Sequence, residues 1–229
     1  MQLNDFQRNS IQQADHLLII DFEATCGPGI TQSATEIIEV GAVLLSWPEL
    51  EEVATFQRYV RPKTNPTLTR FCVNFTGITQ QDVDASETFP DVLRMLDVTL
   101  LTGKKVLFMD WSGFDWRQLK VECERNAIEN PFTLGKWDLQ NLFKKTQKLR
   151  HSPSVSKALL AVNLEFIGRQ HSGIDDAKNT ARLVPYALPR HWFNLRREAL
   201  GMNPLDPLTT GDTAMQHGPH APNPQPQVL

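Results

Sequence analysis

The sequence has no surplus of basic charge. Its 23 lysines and arginines stand against 26 acids, for a net charge of −3. Nothing global therefore marks it as a polyanion binder, and any nucleic-acid site must be a local patch built in part on bound cations. Cysteine is scarce. Cys26, Cys72 and Cys123 are far apart and form no CxxC pair, which argues against a disulfide scaffold and fits a reducing compartment. No apolar run approaches the roughly 20 residues of a membrane span. The opening stretch MQLNDFQRNSIQQADH lacks the basic-then-apolar plan of a signal peptide. No internal repeat is found. The expectation is a soluble cytoplasmic protein. Hydrophobic residues make up 41% of 229, enough for a sizeable core in one large domain or two small ones.

What is present centres on Leu17-Leu-Ile-Ile-Asp-Phe-Glu-Ala-Thr25. Leu17 to Ile20 read as a strand buried on both faces, since no polar residue interrupts them. Asp21 and Glu23 follow at i and i+2, which puts both acids on one face of a strand and Phe22 on the other. Two carboxylates at the end of a buried strand repel each other and are costly to desolvate. A divalent cation removes both penalties; a pair of solvated acids where strand meets loop is the other reading.

Glu36–Leu45 is predicted as a second strand and Ala54–Val60 as a third, with short connections that imply antiparallel neighbours. Pro62, Asn65 and Pro66 open a long loop. Thr79 caps a short helix, Phe89–Leu101 carries a helical apolar stripe, and Lys105–Met109 is a buried strand. Helices follow from about Trp116 to Asn126, over Gln140–Lys145 after an Asp138 cap, around Val155–Val162, over Ala177–Leu188 and over His191–Leu200. Leu134–Trp137 is a short strand between the first two of these. The order predicts one α/β domain with a mixed sheet. It spans residues 16–202. A polar segment, 1–15, precedes it as loose chain or a short leading helix, and a Pro- and Gln-rich tail, 203–229, is expected to be disordered.

Three places could supply chemistry: Asp21 with Glu23; Asp115, just before a helix; and His171-Ser-Gly-Ile-Asp-Asp176, at another helix start. Singly, Asp115 and Asp176 read as helix caps or first-turn acids rather than ligands, and His171 as an ordinary surface histidine. Together, Asp21-Phe-Glu-Ala-Thr25, Gly113-Phe-Asp115 and His171–Asn179 resemble the three motifs of the DEDDh 3′→5′ exonucleases. Asp21–Cys26, Arg70-Phe-Cys72, Phe75–Thr79 and Gly173–Asp176 are similar to the branch of the histone-mRNA 3′-exonuclease and the enhancer-of-RNAi exoribonucleases. The resemblance covers about residues 15–195. It implies an RNase H-like fold, a mixed five-stranded sheet flanked by helices. It also implies four acidic ligands, Asp21, Glu23, Asp115 and Asp176, for two Mg²⁺ or Mn²⁺ ions, with His171 as general base. It picks Asp176 over Asp175, which would then point to solvent or cap the helix.

The resemblance further implies hydrolysis of single-stranded nucleic acid from the 3′ end, RNA favoured over DNA, to nucleoside 5′-monophosphates. Two Mg²⁺ ions roughly 3.5–4 Å apart stabilise the attacking and leaving oxygens together. His171 would accept the proton of the attacking water. Phe22, Phe114 and Trp116 flank the acids and are candidates to stack on the terminal base or ribose, core packing being as good an account of Phe22. Backbone groups around Ala24 and Thr25 are candidates for the terminal sugar. Lys144, Lys145, Lys148, Arg150 and His151 form a basic run that either guides the phosphate backbone or is a solvated helix face. Glu36 and Glu39 are expected to be structural, and Asp138 a cap. The alternatives are a non-catalytic RNA- or partner-binding module on the same fold, and a polymerase-associated proofreading exonuclease.

Overall fold

The computed structural model describes residues 2–205. Residues 206–229, the greater part of the tail expected to be disordered, lie outside it. A five-stranded sheet runs in the order β3-β2-β1-β4-β5, with β1 His16–Ala24, β2 Ile37–Ser46, β3 Glu52–Tyr59, β4 Val106–Asp110 and β5 Lys136–Asp138. The central strand pairs antiparallel with β2 and parallel with β4, and β4 is parallel to β5. The β1–β4 ladder ends at Ile19↔Met109. The last residues of β1 thus project past β4, at the point where strand directions change on either side. Clefts of open α/β sheets form at such points.

The period-2 pattern of β1 feeds two cores. Leu17 and Ile19 pack on one face with α6 (Leu139–Thr146), α9 (Val184–Ala187) and α10 (Arg190–Ala199). Leu18, Ile20 and Phe22 pack on the other with α4 (Phe89–Leu96) and α5 (Phe114–Arg125). The leading segment is not loose chain. Asn4 and Gln7 make a capping box for α1, Asp5–Gln13, and Ile11 is fully buried in the first core. Arg196 of α10 donates to the Gln12 carbonyl at 2.6 Å.

Three expected elements differ. The helix over Phe89–Leu101 changes winding, with α4 running into a π turn at Asp97–Leu101 that buries both Leu100 and Leu101. The helix over Ala177–Leu188 divides into α8, Gly173–Ala181, and α9, because Pro185 has no N–H to continue the ladder. The long loop after Pro62 contains α2, Arg70–Thr76, capped by Thr69 and closed by Gly77 at φ +67°. Among the described residues no helix is long and apolar enough to cross a membrane.

Candidate active site

The projecting end of β1 carries Asp21 and Glu23 on the face covered by α8. Their carboxylate oxygens and one of Asp176 lie within 4.8 Å of one another. Asp115, in the first turn of α5, is 3% exposed, and its Oδ1 accepts the Phe22 N–H at 2.8 Å. Four carboxylates thus converge from one strand and two helices. Burial, then the negative charge of Asp115, Asp176 and Glu23, holds Asp21 far above the usual carboxylate range. Burial, then Asp176, pushes Glu23 up to about 8. Burial also raises Asp115 and Asp176. A set of crowded, half-desolvated oxygen donors suits a hard divalent cation.

Two glycines permit this convergence. A β-carbon on Gly41 of β2 would lie 2.0 Å from the Gly173 carbonyl carbon, and one on Gly173 would lie 2.9 Å from the Asp21 carbonyl oxygen. Helix α8 therefore rests its first turn directly on the β1–β2 pair. Glu39, buried on β2, fixes it there by accepting the Gly173 N–H at 3.0 Å and the Gln57 amide at 2.8 Å. Glu36 accepts the N–H groups of Lys63, Thr64 and Asn65. Both are structural, as read, although Glu39 also adds negative charge to the site. Asp138 caps α6 through the Asn141 N–H.

His171 is exposed and sits at φ +60°, a region where histidine is tolerated better than most side chains. Its N–H donates to Asp176 Oδ2 at 2.7 Å, and its ring lies over Phe75 with centroids 3.8 Å apart. The loop bearing it is pinned twice. Asn179 exchanges hydrogen bonds with the Ile167 N–H and carbonyl, and Asp175 accepts the Arg169 N–H at 2.9 Å. Asp175 is therefore a half-buried loop anchor and not a cap, because the loop folds back over its carboxylate.

Two of the three other stacking candidates pack in the second core. Phe22 is buried in the second core, as the alternation along β1 requires. Trp116 packs edge-on against Phe108 in that same core, on the face away from Asp21 and Glu23. Phe114 is half-buried. Thr25 spends its N–H and its hydroxyl on Glu36, and the Ala24 carbonyl takes the Cys72 thiol at 3.8 Å. Helix α6 begins directly after β5, and its last turn, with Lys144 and Lys145, lies by α9, where the Thr146 hydroxyl donates to the Ala187 carbonyl at 2.9 Å.

Sequence reasoning missed two features. Phe71 and Phe75 of α2 are 52% and 44% exposed and stack at 5.6 Å, an aromatic ledge continuous with His171. The signal was their i, i+4 spacing, hidden because the segment read as loop. Asp110, fully buried at the end of β4, accepts the Trp116 N–H at 3.0 Å and steadies α5. An acid closing an apolar strand, the pattern that marked Asp21, was visible there too.

Residues 18–184 match the exonuclease family RNase_T. The chain is 36% identical over 179 residues to 3′-5′ exoribonuclease 1 of Rattus norvegicus, covering 74% of this chain and 52% of that protein. It is 38% identical over 201 residues to ERI1 exoribonuclease 2 of Danio rerio, covering 78% and 36%. The chain thus spans about half or less of the length of these relatives. Among solved structures, the nuclease domain of 3′hExo, a DEDDh family member bound to rAMP, matches with TM-score 0.67 and 33% identity over 82% of this chain and 94% of that one. Exonuclease I of E. coli with a dA16 oligonucleotide, at 17% identity and TM-score 0.61 over 79% of this chain and 42% of that one, shares the fold.

Proposed function

The chain belongs to the RNase_T exonuclease family, in its DEDDh type, and from that premise we propose that it hydrolyses single-stranded RNA from the 3′ end to nucleoside 5′-monophosphates. The observation that carries this reading is the half-buried cluster of Asp21, Glu23 and Asp176, joined by Asp115 and flanked by His171. A charge cluster of this cost is hard to explain as a structural device, since hydrophobic residues would fill the same space more favourably. The preference for RNA over DNA draws on the relatives named exoribonucleases.

Asp21, Glu23 and Asp176 would hold one Mg²⁺ or Mn²⁺ ion, and Asp21 and Asp115 a second. When bound, such ions offset the carboxylate charge and stabilise the charge that develops on attacking and leaving oxygens. The chain supplies the rest. Asp21 and Glu23 are fixed by the β1–β2 ladder, and Asp115 by the Phe22 N–H. Asp176 is held by the close approach of Gly41 and Gly173. His171 takes the proton of the attacking water on an imidazole nitrogen. Its backbone bond to Asp176 keeps the ring's loop beside that carboxylate. Phe71 and Phe75 offer two rings on which the bases of a single strand stack, at roughly 1–3 kcal/mol per base. A duplex, whose bases are already stacked, gains less.

The test uses end-labelled RNA and DNA oligonucleotides with Mg²⁺, Mn²⁺ or chelator, the products being resolved by length. The expected result is a ladder shortening from the 3′ end that vanishes with chelator. Shortening from the 5′ end, or cuts within a circular strand, would refute the reading. Tight RNA binding with no cleavage in either metal would favour a non-catalytic module.

A further inference from the structure

We propose that Arg169 is a substrate-binding residue whose guanidinium holds the phosphate one linkage upstream of the scissile bond, and that Asp175 is the positioning residue that sets it there. The proposal rests on the exonuclease reading above. Arg169 is exposed, and among the described residues it forms no ion pair. It is not a side chain adrift in solvent. A β-carbon on Gly77 would lie 1.9 Å from its Nη1, so the guanidinium presses against the end of α2, the helix that carries Phe71 and Phe75. Its positive charge reaches the acids, where it favours the ionised form of Glu23.

The backbone beneath it is equally constrained. Gly168 has φ +90°, and a β-carbon there would lie 2.5 Å from the Asp175 carboxyl carbon. The Arg169 N–H donates to Asp175 Oδ2 at 2.9 Å. His171 follows two residues on. A cation with no ion pair among the described residues is therefore held between the end of α2 and the loop that carries His171, and its charge is felt at Glu23. The site itself is built of four carboxylates, which repel a polyanion. Divalent ions held by those acids would offset the charge of the scissile phosphate, and the next phosphate along the strand would need a cation of the chain's own. A guanidinium suits it, because its fork offers two parallel donors to one phosphate.

The experiment compares single-stranded RNA carrying all its phosphodiesters with the same strand bearing one neutral methylphosphonate at the penultimate linkage. Turnover and binding of both are measured for the wild type, Arg169→Ala, Arg169→Lys, Asp175→Ala and Asp175→Asn. A hydrogen bond between charged partners predicts that the neutral linkage lowers wild-type kcat/KM by roughly 10-fold or more. Arg169→Ala should lose the same factor on the natural strand and nothing further on the neutral one. Its affinity for Mn²⁺ by calorimetry should stay at the wild-type value. Its binding should lose about one from the slope of log affinity against log salt. Arg169→Lys should fall between, keeping charge without the fork. Asp175→Ala should move partway towards Arg169→Ala, and Asp175→Asn, which keeps an acceptor, should be rescued. Equal losses for Arg169→Ala on both strands, or a wild type indifferent to the neutral linkage, would overturn the proposal. Should the wild type cut neither strand, the exonuclease reading fails, and the binding affinities for the two strands still decide the role of Arg169.

Discussion

Glu23→Gln should stabilise the metal-free protein while destroying its response to metal. Burial and the neighbouring Asp176 raise the Glu23 carboxyl from 4.5 to about 8. Between those values the folded state holds a proton that the unfolded chain has released. Native protein then binds more protons than unfolded protein, so stability is highest below the lower value and is lost as pH rises through the window. Each pH unit costs about 1.4 kcal/mol, and raising the pH from about 5.5 to 7.5 costs about 3 kcal/mol. For a chain of this size that is a fall in Tm of roughly 6–12 °C. Glutamine keeps the volume and one acceptor and carries no charge. The variant should therefore melt higher than wild type at pH 7.5 in chelator, with a shallower dependence on pH. Asp21 and Asp176 are raised by the same burial, so some slope remains. Millimolar Mg²⁺ should restore the wild type and leave the variant unmoved. Scanning calorimetry in chelator at both pH values measures this directly. A variant less stable than wild type at pH 7.5, or parallel pH dependences, would refute the account of the cluster as a strained anionic site awaiting a cation.

The remaining predictions follow from the same geometry. Asp176→Asn should abolish turnover and Mn²⁺ binding with the fold intact, whereas Asp175→Asn should keep binding; measuring both by calorimetry shows whether the right acid of the pair was chosen. His171→Ala should lower kcat by roughly 10²–10⁴-fold, the range of a positioned general base, with Mn²⁺ affinity nearly unchanged; full turnover would make the imidazole a bystander. Gly41→Ala must push α8 off the sheet, since its β-carbon would meet Gly173 backbone at 2.0 Å. An overpacking cost of about 1–3 kcal/mol and loss of metal affinity should appear together, and activity at the wild-type level would show that α8 need not rest on β2.

The legible part of this protein was what repeats at a fixed period. The unbroken run before Asp21 gave β1, the i, i+2 spacing placed Asp21 and Glu23 on one face, and the Asp138 cap was where composition put it. The convergence of α8 on β1 was not legible, because it depends on two glycines 132 positions apart meeting backbone to backbone. The aromatic ledge escaped for a related reason. Phe71 and Phe75 share a face only if residues 70–76 are helical, and the prolines before them argued for loop. Phe22 and Trp116 were named for their closeness in sequence to acids, but alternation on a strand and rotation on a helix turn neighbours in sequence to opposite sides. Proximity along the chain predicts the same element and not the same face.

The clasp between α1 and α10 has a practical consequence. Helix α1 leads directly into the amino end of β1, and Arg196 ties it to α10, so both flanking helices meet at the end of the central strand opposite Asp21. Leu205 is itself held to α10 by Arg190 and Asn194. The described residues from α1 and from α10 to Leu205 therefore gather on the side of the molecule away from the acids. A fluorophore or tether attached to an exposed side chain of α1 or α10 leaves the approach of a nucleic-acid strand unshaded, which makes those two helices natural handles for single-molecule observation of the protein at work.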